Sequence, residues 1–110
     1  MFTILVTVRK KPEVSQEEFR RVWKEVYGPM YRQFPKIIAY DQYHLNDRGK
    51  DKAEDPIDGV AVMSFESEAD MKEAFATEHY KAAAKVRESI MRETSVGVHV
   101  TTVAELVKII

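Results

Sequence analysis

Few side chains in this 110-residue sequence can exchange a proton near neutral pH, and three of them are histidines: His44, His79 and His99. There is no cysteine, so thiolate nucleophiles, disulfides and cysteine-based zinc sites are excluded. His44 stands out by its neighbours. Tyr40, Gln42 and His44 alternate along a β-rich run, three hydrogen-bonding groups on a face that is otherwise apolar. A polar row on a covered face is costly unless something partners it, and a bound ligand is one such partner. The plain alternative is an exposed histidine at a strand end. An imidazole, with a pKa of about 6.5, can accept a proton at neutral pH, whereas a phenol, at about 10, chiefly donates a hydrogen bond. Tyr27 lies beside Gly28 on the apolar stripe of a helix. There it is either a core tyrosine with a satisfied hydroxyl or a donor aimed into a pocket. Trp23 on the same stripe reads as core, with a pocket wall as its second reading.

The remaining candidates carry less. His79 falls in the first turn of a helix, where the dipole disfavours positive charge, and reads as a neutral surface histidine. His99 alternates with Val98 and Val100 and faces the other way along a strand. No two histidines stand at i, i+2 or i, i+4, so no metal site is expected. Neither a phosphate-cradling glycine loop nor a serine nucleophile elbow occurs. The run Glu66, Glu68, Asp70, Glu73 is a solvated helix face.

The elements that must position these groups follow from periodicity and punctuation. Alternation predicts a strand over Phe2–Arg9, closed by Pro12. Ser15-Gln16-Glu17-Glu18 is a capping box with Val14 and Phe19 as its staple, and a helix with an apolar stripe of Phe19, Val22, Trp23, Val26, Tyr27 and Met30 follows. Gly28-Pro29 predicts a break or kink, with a short turn of helix over Met30–Gln33. A second strand runs from Ile37 to Leu45, with Ile38, Tyr40, Gln42 and His44 on one face and Ile37, Ala39, Asp41, Tyr43 and Leu45 on the other. Asn46–Pro56 is a charged, solvated and mobile loop, and Ile57–Phe65 the third strand. Ser67 opens a second helical region and Thr77 caps a further helix with Tyr80, Ala83, Ala84, Arg87 and Ile90 inward. Ser95–Thr102 is the fourth strand, and Val103–Ile110 an apolar tail.

The order βαββαβ gives an α+β, ferredoxin-like domain over residues 1–110, with a four-stranded antiparallel sheet and helices on one face. Strands two and three carry apolar residues on both sides, so the second face needs a cover, most economically the same face of a second copy. A composition of 45% apolar and 32% charged residues is that of a globular chain. Seventeen basic against eighteen acidic side chains give a formal charge of −1 and argue against a general polyanion binder. Strand three spaces its residues like the RNA-recognition core motif, yet Asp58 stands at the basic position and Val60 and Val62 at the stacking positions, which removes the mechanism. No apolar stretch approaches the ~20 residues of a spanning helix, and no secretory signal opens the chain, so a cytoplasmic location is the default.

Phe19, Trp23, Tyr27-Gly28-Pro29, Pro35 and Tyr40-Asp41-Gln42-Tyr43-His44-Leu45, followed by Asp58-Gly59 and Phe65-Glu66-Ser67, form an ordered series of motifs. In order and spacing the series resembles the EthD-like family of dimeric α+β barrels over nearly the full length. The family's helix histidine is Tyr27 here. The resemblance implies a homodimer and a cofactorless enzyme of the isomerase, cyclase or lyase type, acting by proton transfer on a small, mostly apolar carbonyl or aromatic compound. On this reading His44 is the general base, Tyr27 and Tyr40 polarise a carbonyl or hold an enolate, Gln42 orients the substrate and Trp23 walls the pocket. Two other readings stay open: a cofactorless oxygenase, and a non-catalytic small-molecule binding protein.

Overall fold

The structure, a computed structural model, describes residues 1–49 and 56–110. Strand β1 (Phe2–Val8) leads to helix α1 (Gln16–Val22), whose start is capped by the Ser15 hydroxyl accepting from the Glu18 N–H at 3.1 Å. The helical path does not break at Gly28-Pro29. It widens one turn earlier, into a π-turn over Trp23–Tyr27 in which the Gly28 N–H reaches the Trp23 carbonyl, then continues through α2 (Gly28–Met30) and a 3₁₀ turn over Tyr31–Gln33. An ordinary helical turn would set the Pro29 ring against the carbonyl four residues back; the wider turn relieves that contact and replaces the expected kink. It also resets the buried face. Phe19, Trp23, Tyr27 and Tyr31 all point inward, while Val26, expected on the stripe, is exposed.

Lys36 takes φ 62°, in the left-handed region, at the turn into β2 (Ile37–His44). A bulge between Ile37 and Ala39 follows immediately. Its consequence corrects the expected face assignment: Ile37, not Ile38, shares the inner face with Tyr40, Gln42 and His44, and Ile38 is exposed. Strand β3 (Gly59–Phe65), helices α3 (Glu68–Phe75) and α4 (Glu78–Ile90), and strand β4 (Val98–Thr102) complete the chain. Ser67 and Thr77 cap α3 and α4 through the N–H groups of Asp70 and Tyr80. The sheet has the order β2-β3-β1-β4, with every neighbouring pair antiparallel. This is the ferredoxin-like α+β architecture expected from the element order.

The core lies between the inner sheet face and the helices. Ile4, Val6 and Val8 of β1 and Ala61, Met63 and Phe65 of β3 meet Phe19, Trp23, Tyr27 and Tyr31 on one side and Ala74, Ala83 and Ile90 on the other. Gly59 is the seat of the Trp23 indole: a Cβ there would fall 2.4 Å from two of the ring carbons. Asp58, just before it, is buried and accepts from the Lys10 N–H at 2.9 Å, tying the start of β3 to the end of β1. Of the expected loop over 46–56, residues 50–55 lie outside the described residues. At its edges the Asp47 carboxylate accepts from the N–H groups of Gly49 and Ile57, both at 2.7 Å. Beyond β4 the tail leaves the sheet with Leu106, Val107, Ile109 and Ile110 exposed.

Candidate functional site

The Trp23 indole divides the candidate residues between two spaces. On its inner side lies a cavity of about 60 Å³ between helices and sheet, bounded by Trp23, Tyr27, Tyr31, Tyr40, Tyr80 and Arg87 and otherwise by apolar side chains of β1, β3, β4 and the helices. On the outer side, along the free edge of β2, runs a groove of about 870 Å³ that includes Arg20, Lys24, Tyr31, Tyr40, Gln42 and His44. Tyr31 and Tyr40 border both spaces. Their rings stack with centroids 3.9 Å apart and form the partition.

The inner cavity presents hydroxyls. Tyr27 and Tyr31, one helical turn apart, meet Oη to Oη at 2.5 Å, and Arg87 Nη1 donates to Tyr80 Oη at 3.4 Å. Burial raises the pKa of Tyr27, a rise eased by the Tyr31 hydroxyl and the Arg87 charge. Tyr31 is pushed well above the ordinary phenol value, by burial first and then by the neighbouring phenols. Burial likewise raises Tyr40, against hydrogen bonds from Gln42 and Trp23. All three are therefore neutral phenols at physiological pH, suited to donating to an oxygen that gains negative charge. Burial opposes the charge of Arg87, and the Tyr80 hydroxyl together with the neighbouring phenols outweighs it, so its pKa rises.

The groove side carries a directional chain. Gln42 Nε2 donates to the Trp23 carbonyl at 2.8 Å and to Tyr40 Oη at 3.1 Å. A carbonyl can only accept, which fixes the amide's orientation. Gln42 Oε1 then faces His44 Nε2 at 3.0 Å, and since an amide oxygen also only accepts, Nε2 carries the hydrogen. Neutral His44 is thus the tautomer with a free lone pair on Nδ1. Each hydrogen in the chain points from His44 through Gln42 to Tyr40, leaving the Tyr40 hydroxyl hydrogen free to donate elsewhere. The His44 ring packs against the Trp23 indole with centroids 4.7 Å apart. Its pKa is lowered, by burial first and then by the positive charges of Arg20 and Lys24, so it stays neutral at pH 7.

Of the residues expected from sequence, Trp23, Tyr27 and Tyr40 come together at the cavity, and Tyr40, Gln42 and His44 at the groove. Tyr27 and His44 do not share a space, because Trp23 stands between them. Tyr31 goes unmarked in the sequence reading, although aromatic residues recur there every four positions, at 19, 23, 27 and 31. Tyr80 and Arg87 are legible as inward positions of α4, seven residues apart, but not as cavity groups. His79 is not a surface residue: its Nε2–H donates to the Met30 carbonyl at 2.6 Å and its ring meets Phe34 edge-on, which ties α4 to α2. Among the described residues no three histidine, aspartate or glutamate side chains gather as metal ligands.

The EthD domain family matches residues 11–90. Among solved structures, an EthD family protein from Bacillus halodurans superposes with a TM-score of 0.71 at 16% identity, covering 96% of this chain and 100% of that one. An antibiotic biosynthesis monooxygenase is similar with a TM-score of 0.65 at 21% identity, covering 96% and 99%. A dimeric protein of unknown function and ferredoxin-like fold from Bacteroides fragilis gives 0.66 at 13% identity, covering 93% and 91%. At these identities the likeness is one of fold. No curated protein matches the chain in sequence.

Proposed function

The chain belongs to the EthD domain family, and from that premise we propose that it is a cofactor-independent enzyme of the isomerase, cyclase or lyase type, moving a proton on a small carbonyl or phenolic compound. One observation carries the reading: the phenols of Tyr27, Tyr31 and Tyr40, all held neutral, line a single cavity whose other walls are largely apolar. Such a cavity suits a carbonyl oxygen that becomes an enolate, because donors fixed in advance in a dry site favour the developing charge most. Trp23 is the wall of the pocket. His44 is the proton acceptor of this reading, working through Nδ1 from the groove side of Tyr40, and Gln42 holds its tautomer. Trp23 and the stacked rings of Tyr31 and Tyr40 separate the two spaces, so that partition must open for a substrate whose oxygen faces Tyr27 and Tyr31 to bring its acidic carbon to His44.

The test is exchange of a carbon-bound hydrogen for deuterium, followed by NMR across a panel of small enolisable ketones and phenols. Wild-type protein accelerates exchange on a member of the panel, and Tyr40→Phe slows it by about 10²–10³. Undiminished exchange in the Tyr27→Phe/Tyr40→Phe double variant would sink the reading. A second reading, a cofactorless oxygenase, draws on the likeness to the monooxygenase and predicts oxygen consumption with turnover. A binding protein would show affinity with neither. We also propose that the outer sheet face, with Leu5, Val60, Val62 and Tyr43, is covered by a second copy of the chain; a structurally similar protein is described as dimeric.

A further inference from the structure

Arg87 is a cation that borders the inner cavity without an ion-pair partner among the described residues. It projects from α4, where the positions three and four residues away on either side are Ala83, Ala84, Ile90 and Met91, none of them charged. The ion pairs among the described residues join Arg21 to Glu18, Lys36 to Asp70 and Glu73, Lys72 to Glu68 and Lys81 to Glu78; none includes Arg87. The groups that bear on its guanidinium are the phenols of Tyr80, Tyr27 and Tyr31, none of them a carboxylate. A phenol hydroxyl supplies no carboxylate countercharge, and a guanidinium carries five N–H donors in a planar fork. A half-buried guanidinium in that setting is incompletely partnered.

We infer that the cavity takes a monoanionic ligand, a small oxo-acid whose carboxylate is held by the Arg87 guanidinium while its carbonyl oxygen meets Tyr27, Tyr31 and Tyr40. The fork of Arg87 matches a carboxylate in two parallel hydrogen bonds, and the phenols match an oxygen that acquires charge. The apolar side chains of Ile4, Val6, Val8, Ala61 and Met63 accommodate the carbon skeleton between the two polar ends. The identification rests on the proposed function, in which this cavity is the substrate site, and narrows its substrate from carbonyl compounds at large to those carrying an acid.

Propionate and propionamide, equal in shape and unequal in charge, make the test, titrated by NMR into wild-type protein, Arg87→Met and Arg87→Lys. In wild type the resonances of Tyr27, Tyr31 and Tyr40 should report propionate binding about 10- to 100-fold more tightly than propionamide. Arg87→Met should abolish that preference, and Arg87→Lys, which keeps the charge without the fork, should retain part of it. Equal affinities in wild type overturn the inference, as does a preference that survives Arg87→Met, or propionate shifts confined to the groove around Lys24 and Arg32. Propionamide seated in the cavity without any preference for propionate refutes the acid while leaving the carbonyl reading in place. If neither probe perturbs the three tyrosines, both fall.

Discussion

At the scale of single residues, the division of labour between phenol and imidazole has consequences for pH. Tyr27, Tyr31 and Tyr40 have raised pKa values and keep their protons throughout the neutral range, so none of them generates an acidic limb in a rate profile. As the proposed base His44 would, and its lowered pKa places that limb below the ordinary imidazole value. Once a substrate is known, Tyr27→Phe should lower turnover by about 10²–10³, about 2.7–4 kcal/mol, with the acidic limb still present. His44→Gln should remove the limb together with most of the rate. Wild-type turnover with an unchanged limb in His44→Gln would make the histidine structural. The same shift bears on stability. A histidine whose folded pKa lies below its unfolded value binds fewer protons when folded, so its contribution is intact above about pH 6.5 and declines as pH falls through the folded pKa. Melting curves between pH 7 and pH 5 should therefore converge, with wild type losing more stability on acidification than His44→Gln. Parallel losses would show that the imidazole is not held neutral by the fold.

At the scale of elements, two glycines decide how the first helical segment meets the sheet. A Cβ on Gly59 would lie 2.4 Å from the fully buried Trp23 indole, which is also packed against His44 and Phe19. Gly59→Ala should cost about 1–3 kcal/mol by overpacking, read as a lower urea midpoint at unchanged slope. A Cβ on Gly28 would instead meet the end of the Gln42 side chain at 2.9 Å, which can swing aside, and the Trp23 carbonyl at 3.1 Å. The alanine also recovers up to about 1 kcal/mol of helix propensity. Gly28→Ala should be the milder change in stability, and equal losses in the two variants would contradict this account of the packing. These contacts also mark what the sequence makes legible. Alternation, caps and prolines are local signals, and they place every strand and each N-cap serine or threonine. A π-turn is a tertiary compromise between Pro29 and the need to keep Phe19, Trp23, Tyr27 and Tyr31 on one side; local pattern reads it as a break. A one-residue bulge at Ile38 is likewise invisible to strict alternation, because either neighbour satisfies the pattern. The candidate site was half legible for the same reason. Tyr40, Gln42 and His44 lie on one strand and are seen together, whereas Tyr31, Tyr80 and Arg87 converge only once α4 is laid across the first helical segment.

At the scale of the whole molecule, the helices cover one face of the sheet and leave the other. That outer face sets Leu5 beside Val62 and Thr7 beside Val60, with Tyr43 opposite Val60 and more than half exposed. Valines and a leucine beside threonines make a surface that is neither a core nor an ordinary solvated face. The tail adds Leu106, Val107, Ile109 and Ile110, all exposed, after the Val103 N–H has made its bond to the Thr3 carbonyl at 2.9 Å. Four large apolar side chains at the end of an extended segment bury little against their own domain and have area to give to another surface. A second copy joined sheet to sheet removes the outer face from water, and its tail can reach across the joint. Stable protein interfaces bury about 800 Å² per partner, which a four-stranded face with an eight-residue tail can supply. Light scattering at micromolar concentration should therefore find a particle of twice the 12.7 kDa chain mass. Removing residues 104–110 should shift the equilibrium toward monomer on dilution, without changing the far-UV circular dichroism of the domain. A 12.7 kDa particle for the full chain at that concentration would rule out the dimer, and a truncated chain that stays dimeric on dilution would assign the interface to the sheet face alone.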